Sequence, residues 1–178
     1  MNPDRSFPRV MIVMGVCGCG KTSFATMLSE KTGSSFIEGD RLHPPKNIEK
    51  MSRGEALDDE DRQPWLEAIV SAANQHLVTA PSVVIACSAL KHSYRDILRK
   101  IQSPSGFIHL AGDRQVIVER MAQRKDHFMP ISLLDSQLAT LETTRHEPDV
   151  VELNLEYSLE SNLQQFLRSG FNPASQEN

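Results

Sequence analysis

An α/β fold built on a mostly parallel sheet is predicted by three observations. Short apolar runs recur along the 178 residues, amphipathic stretches separate them, and the first run leads directly into a glycine-rich loop. Strands that alternate with helices form a parallel sheet with helices on both faces. The runs are Val10–Met14, Ser35–Glu38, Ser82–Cys87, Phe107–Leu110 and Val150–Leu153, which makes five strands.

The first strand is unbroken apolar sequence, as expected of a strand buried on both faces. Behind it stands Gly15-Val16-Cys17-Gly18-Cys19-Gly20-Lys21-Thr22, which fits G-x-x-x-x-G-K-[ST], the phosphate-binding P-loop. Phe24, Met27 and Leu28 then fall on one helical face, and Gly33 can end that helix. After the second strand, Gly39-Asp40-Arg41-Leu42-His43-Pro44-Pro45 reads as a loop, because two prolines stop regular structure. Asn47–Met51 is a short helix closed by Gly54. Asp58-Asp59-Glu60-Asp61 opens a longer helix, where negative charge suits the dipole, and Pro64 is tolerable in its first turn. Helices are also expected over about 92–101, from Gly112-Asp113 onward, over 131–141 and over 158–167. Residues after Gly170 read as a frayed end.

The length suits one domain, with a core over about 9–169. A net charge of −4 gives no general affinity for nucleic acid or anionic membrane, so an anionic substrate requires a local cluster of cations. No apolar run approaches a membrane span, and the first nine residues lack the apolar core of a signal peptide. Three cysteines, an odd number, argue against a disulfide framework and point to a reducing compartment, the cytoplasm.

A P-loop alone does not separate switches, motors and kinases. No Asp is followed by Gly three residues later, N-K-x-D is absent, and the strand ending at Cys87 has no closing carboxylate. Phosphoryl transfer to a small molecule needs instead a carboxylate by the acceptor hydroxyl and cations over the phosphates. Asp40 leaves a strand at its C-terminal end, where ligands bind in open α/β sheets, either to take a hydroxyl proton or to cap its own turn. Arg124, Lys125 and His127 form either a lid, over about 124–141, or a solvated charge cluster. Lys21 suits the β- and γ-phosphates and Thr22 the Mg²⁺ ion.

Taken together, Gly15–Thr22, Gly39–Pro44, Asn47–Met51, Gly54–Leu57, Asp61-Arg62 with Pro64-Trp65-Leu66, Cys87–Lys91, Tyr94–Asp96 and Arg124-Lys125 with His127-Phe128 resemble a gluconokinase, over about 10–167. The resemblance implies the three-layer P-loop kinase fold of the shikimate and nucleoside-monophosphate kinases, with a small lid. It implies ATP and Mg²⁺ as cofactors, D-gluconate as the acceptor at its 6-hydroxyl, and a homodimer among the assemblies allowed. Lys21, Asp40 and Arg124 would be catalytic. Gly15, Val16, Cys17, Gly18, Cys19, Gly20, Lys21, Thr22, Arg120 and Arg124 would bind ATP. Asp40, His43, Arg62, Ser88, Lys91 and His127 would bind the acceptor. Thr22 and, through water, Glu38 would hold the metal. Arg62 is either the carboxylate ligand or a surface arginine paired to Asp58 or Asp59. His43 bonds either a gluconate hydroxyl or its own turn, and Trp65 reads as core. The competing readings are a kinase of another small anionic acceptor, such as shikimate or a different sugar acid, and a nucleotide-binding protein without turnover. Cys17 and Cys19 replace serines common in this group; their place at a helix N-terminus beside Lys21 predicts raised thiol reactivity.

Overall fold

The computed structural model describes residues 7–122 and 131–171. Five strands form one sheet: β1 (Val10–Met14), β2 (Ser35–Glu38), β3 (Val83–Ala86), β4 (Ser105–Ala111) and β5 (Val150–Asn154). Their order is β2-β3-β1-β4-β5 and every pairing is parallel. Seven helices accompany them among the described residues: α1 (Lys21–Thr32), α2 (Pro45–Ser52), α3 (Asp59–Thr79), α4 (His92–Leu98), α5 (Arg114–Ala122), α6 (Ile131–Thr140) and α7 (Leu159–Ser169). None of them is long and apolar enough to cross a membrane.

The central strand β1 is buried along its whole length, which is why it carries no polar side chain. The chain leaves β1 for β2 and β3 on one side, then crosses to β4 and β5 on the other. That reversal opens a crevice at the C-terminal ends of the strands, and the P-loop lies in it. At Gly20 the backbone is left-handed, with φ of 98°, before α1 begins at Lys21. A side chain is disfavoured in that conformation.

Two prolines act otherwise than the sequence suggests. Gly39–Leu42 forms a 3₁₀ turn rather than open loop, and Pro45 begins α2 instead of blocking it. A missing N–H costs nothing at a first helical position. Pro64 lies in the second turn of α3, not the first, because the helix starts at Asp59. The Asp58 carboxylate accepts from Asp61 N–H at 2.9 Å and the Asp61 carboxylate accepts from Asp58 N–H at 3.2 Å. This reciprocal cap fixes the start of α3. Elsewhere the elements differ by a residue or a few: β4 extends to Ser105 and Ala111, and α4 stops at Leu98.

Beneath the sheet edge lies a buried ionic cluster. The Arg95 guanidinium is fully buried and donates to Glu147 at 2.6 and 3.0 Å, and to Ala89 O and Leu90 O at 2.8 and 3.1 Å. Arg99 also donates to Glu147, and holds Asp149 at 2.7 and 2.9 Å. Burial alone would raise the Glu147 carboxyl, but hydrogen bonds from Arg95 and Arg99 prevail and hold it below the usual range. Ala89, gripped by Arg95, is left-handed at φ 45°, a rare state for a residue with a Cβ. Breaking such a pair leaves a charge buried without its partner. Arg95→Leu should therefore lower stability by about 3–5 kcal/mol in urea unfolding. Adding Glu147→Leu should recover part of that loss, whereas additive losses would mean that the pair is not coupled.

Candidate active site

The loop that follows β1 is gathered around oxygen acceptors. Gly15 N–H donates to Ser88 O at 3.3 Å, joining the P-loop to the turn after β3. Lys21 Nζ donates to Val16 O at 2.9 Å, and Thr22 Oγ1 donates to Glu38 Oε2 at 2.6 Å. Cys17 N–H donates to Gln137 Oε1 of α6 at 2.7 Å. A cavity of about 920 Å³ opens beside these groups, and its wall includes Lys21, Thr22, Glu38, Asp40, His43, Arg62 and Ser88. Residues far apart in the sequence thus face one space.

On the far wall, Asp40 is exposed and His43 is buried. The imidazole stacks on Trp65, with ring centroids 4.1 Å apart and planes 14° off parallel. Trp65 is itself core, its Nε1–H donating to Gly39 O at 2.8 Å. Asn47 Nδ2 donates to Asp61 O at 2.8 Å and lies 3.3 Å from His43 Nδ1, so Nδ1 accepts and the imidazole proton sits on Nε2. Nε2 is 4.0 Å from Asp40 Oδ1. Burial lowers the His43 pKa to about 4, with Asp40 opposing and Arg62 assisting. The ring is therefore a neutral donor at physiological pH.

Arg62 is buried on the same wall, donating from Nε to Leu57 O at 3.3 Å, with its guanidinium 5.6 Å from the Tyr94 ring centroid. The surface pairing with Asp58 or Asp59 is not formed: Asp58 caps α3, and Asp59 accepts from Lys91 at 2.7 and 3.0 Å and from the Tyr94 hydroxyl. Lys91 is thus tied to Asp59 and does not line the cavity. Arg120 donates to Leu155 O at 2.6 Å and Tyr157 O at 2.8 Å, clamping the turn between β5 and α7. Its guanidinium is turned to backbone carbonyls, not presented to the cavity. Arg124, Lys125 and His127 lie outside the described residues, and so does the first part of the expected lid; its remainder is α6.

Of the two loop thiols, at least one of which is expected to be reactive, Cys19 is fully buried. Cys17 is 6% exposed on the cavity wall, and burial pushes the Cys87 thiol up to about 12. Gln137 was not singled out from sequence and belongs to no motif; Asn47 was read only as part of the Asn47–Met51 block, without a role of its own. For Gln137 the 120-residue separation from Cys17 left no local signal.

A five-stranded parallel sheet, a P-loop and an acceptor wall carrying a carboxylate, a neutral imidazole and a guanidinium define a P-loop kinase of small molecules. The shikimate kinase family model matches residues 17–152. A gluconokinase of Gluconobacter oxydans is 43% identical over 161 residues, covering 90% of each chain. The thermosensitive gluconokinase of Escherichia coli is 44% identical over 149 residues, covering 83% of this chain and 80% of that one. A crystal structure of a gluconokinase from Sinorhizobium meliloti 1021 superposes with a TM-score of 0.81 at 45% identity, covering 92% of both chains. The chain belongs to the gluconokinase family.

The stacked pair gives a direct test of His43. The unfolded chain takes up this proton near 6.5 and the folded one near 4, so the unfolded state binds more protons between those values. The contribution of His43 should thus be fully favourable above pH 6.5 and be lost as pH falls towards 4. Trp65 is the protein's one tryptophan. Its fluorescence should hold steady from pH 8 to about 5.5 and fall with a midpoint near 4 as the stacked ring charges. The step should vanish in His43→Gln; a midpoint at the ordinary histidine value would overturn the assignment.

Proposed function

We propose that this protein transfers the γ-phosphoryl group of ATP to the 6-hydroxyl of D-gluconate, giving 6-phospho-D-gluconate and ADP. The observation that carries the reading is a cavity with the P-loop on one wall and Asp40, His43 and Arg62 on the other, groups suited to a hydroxylated carboxylate. Identity of 43% and 44% to gluconokinases supports the choice of acceptor.

The loop amides and Lys21 would hold the β- and γ-phosphates, with Lys21 exchanging the Val16 carbonyl for phosphate oxygen. Thr22 Oγ1 and Glu38 Oε2 offer a hydroxyl and a carboxylate, hard oxygen donors of the kind Mg²⁺ takes together with substrate phosphates and water. The pair fits that ion, Thr22 directly and Glu38 through water. When bound there, Mg²⁺ neutralises charge on the phosphate oxygens.

Asp40 is exposed within the cavity, free to orient the acceptor hydroxyl and take its proton as the bond to phosphorus forms. His43 donates from Nε2 without carrying a charge that would compete with that proton transfer. Arg62 would pair with the gluconate carboxylate, since Lys91 is held by Asp59. Ser88 adds a hydroxyl on the turn that Arg95 fixes through the neighbouring carbonyls. Roles toward ATP for Arg120 and Arg124, and toward the acceptor for His127, follow from the resemblance alone. A cytoplasmic location goes with this reading: the three cysteines are buried and form no disulfide.

Release of ADP, measured with gluconate, shikimate and glucose, tests the assignment. Gluconate should be turned over far better than glucose, which lacks the carboxylate for Arg62. Equal turnover of the two would sink it, and a preference for shikimate would name a different kinase.

Variants then separate the roles. Asp40→Asn should lower kcat by about 10²–10⁴ with ATP affinity nearly kept. Retention of more than about a third of kcat would remove Asp40 as base. Arg62→Met should raise the KM for gluconate by about 10- to 100-fold, the scale of a charged hydrogen bond, and leave the KM for ATP unchanged.

A further inference from the structure

Among the contacts that tie the P-loop to other elements, the one from Cys17 N–H to Gln137 Oε1 joins a backbone amide to a side chain of α6, 120 residues away. P-loop amides as a group present N–H donors to phosphate oxygens, and the Gln137 oxygen, 2.7 Å from Cys17 N, is an acceptor of the same sort. One N–H supplies one strong hydrogen bond. Phosphate and the Gln137 oxygen therefore compete for the same proton.

What Gln137 is attached to gives that competition a consequence. Leu133, Ser136 and Gln137 all line the cavity from α6. Just past the C-terminal end of α6, Glu142 N–H donates to Leu90 O at 2.9 Å, and a Glu142 carboxylate oxygen accepts from His92 N–H at 2.6 Å. Leu90 belongs to the turn that carries Ser88, on the acceptor side. A continuous path thus runs from the phosphate loop through Gln137, α6 and Glu142 to the acceptor turn.

We propose that Gln137 is a positioning residue that couples the two substrates: nucleotide phosphate displaces its carboxamide from Cys17 N–H, and α6 with Glu142 carries that displacement to the Ser88–Lys91 turn. The inference rests on the kinase reading of the cavity. In the empty protein the carboxamide satisfies the loop amide and holds the acceptor side in a resting position. Loading the loop releases it.

The test is titration calorimetry on the full chain and its Gln137→Met variant, which keeps the size and helix propensity of glutamine but removes the oxygen. Gln137→Ala serves as a second variant, and each is used only after a cooperative thermal transition shows that it folds. Both variants should bind Mg·ADP and Mg·AMP-PNP about 5-fold more tightly than wild type, the scale of one neutral hydrogen bond that no longer has to be displaced. In wild type, saturating AMP-PNP should change the affinity for gluconate, and in the variants that dependence should disappear. In the ligand-free protein, the Cys17 amide resonance should move in the variants. Nucleotide binding that is equal or weaker in both variants, or gluconate coupling that survives in them, would overturn the proposal. Wild-type turnover of gluconate is measured separately. A wild type silent toward gluconate removes the proposed activity but leaves the nucleotide comparison standing. An active wild type whose variants bind nucleotide no better removes the coupling role alone.

Discussion

Donors gathered to hold phosphate must find other acceptors whenever phosphate is absent, since buried polar groups are costly to leave unpaired. Much of the site's architecture follows from that constraint. Lys21 turns to the Val16 carbonyl, the Thr22 hydroxyl to Glu38, and Cys17 N–H to Gln137. The strand β1 behind the loop, buried throughout, gives it a fixed floor.

The same logic governs the cations. A protein of net charge −4 presents an anion site only by placing individual guanidinium and ammonium groups. Lys91 and Arg99 are matched to carboxylates and Arg120 to carbonyls. Arg62 has a backbone carbonyl and the face of Tyr94, neither of which neutralises it. Its charge remains directed at the cavity.

Local chemistry was legible in the sequence, and tertiary choices were not. The five strands, the P-loop and the start of α3 at the acidic run could be read because each depends on residues within one or two turns. Pro64 was placed a turn too early, since with the cap at Asp58 and the helix opening at Asp59 it falls in the second turn. Arg62 offered two readings because Asp59 stood within reach; Lys91 and Tyr94, more than thirty residues on, engage that carboxylate. Which of the two loop thiols lies deeper was not readable from the motif; Cys19 is the fully buried one. Gln137 acts through a partner 120 residues away and left no spacing to recognise.

Gly39 carries a last implication. A Cβ at this position would sit 2.4 Å from the Ala86 carbonyl oxygen, so β2 runs against β3 here with bare backbone. The next residue is Asp40. The depth at which this carboxylate enters the cavity is consequently set by contact between two main chains, and a side chain at 39 would force the whole turn outward. His43, Arg62 and Ser88 line the cavity through side chains, which can be exchanged without moving the main chain. Residue 39 is the gauge block against which those substitutions are measured, and it has to stay glycine.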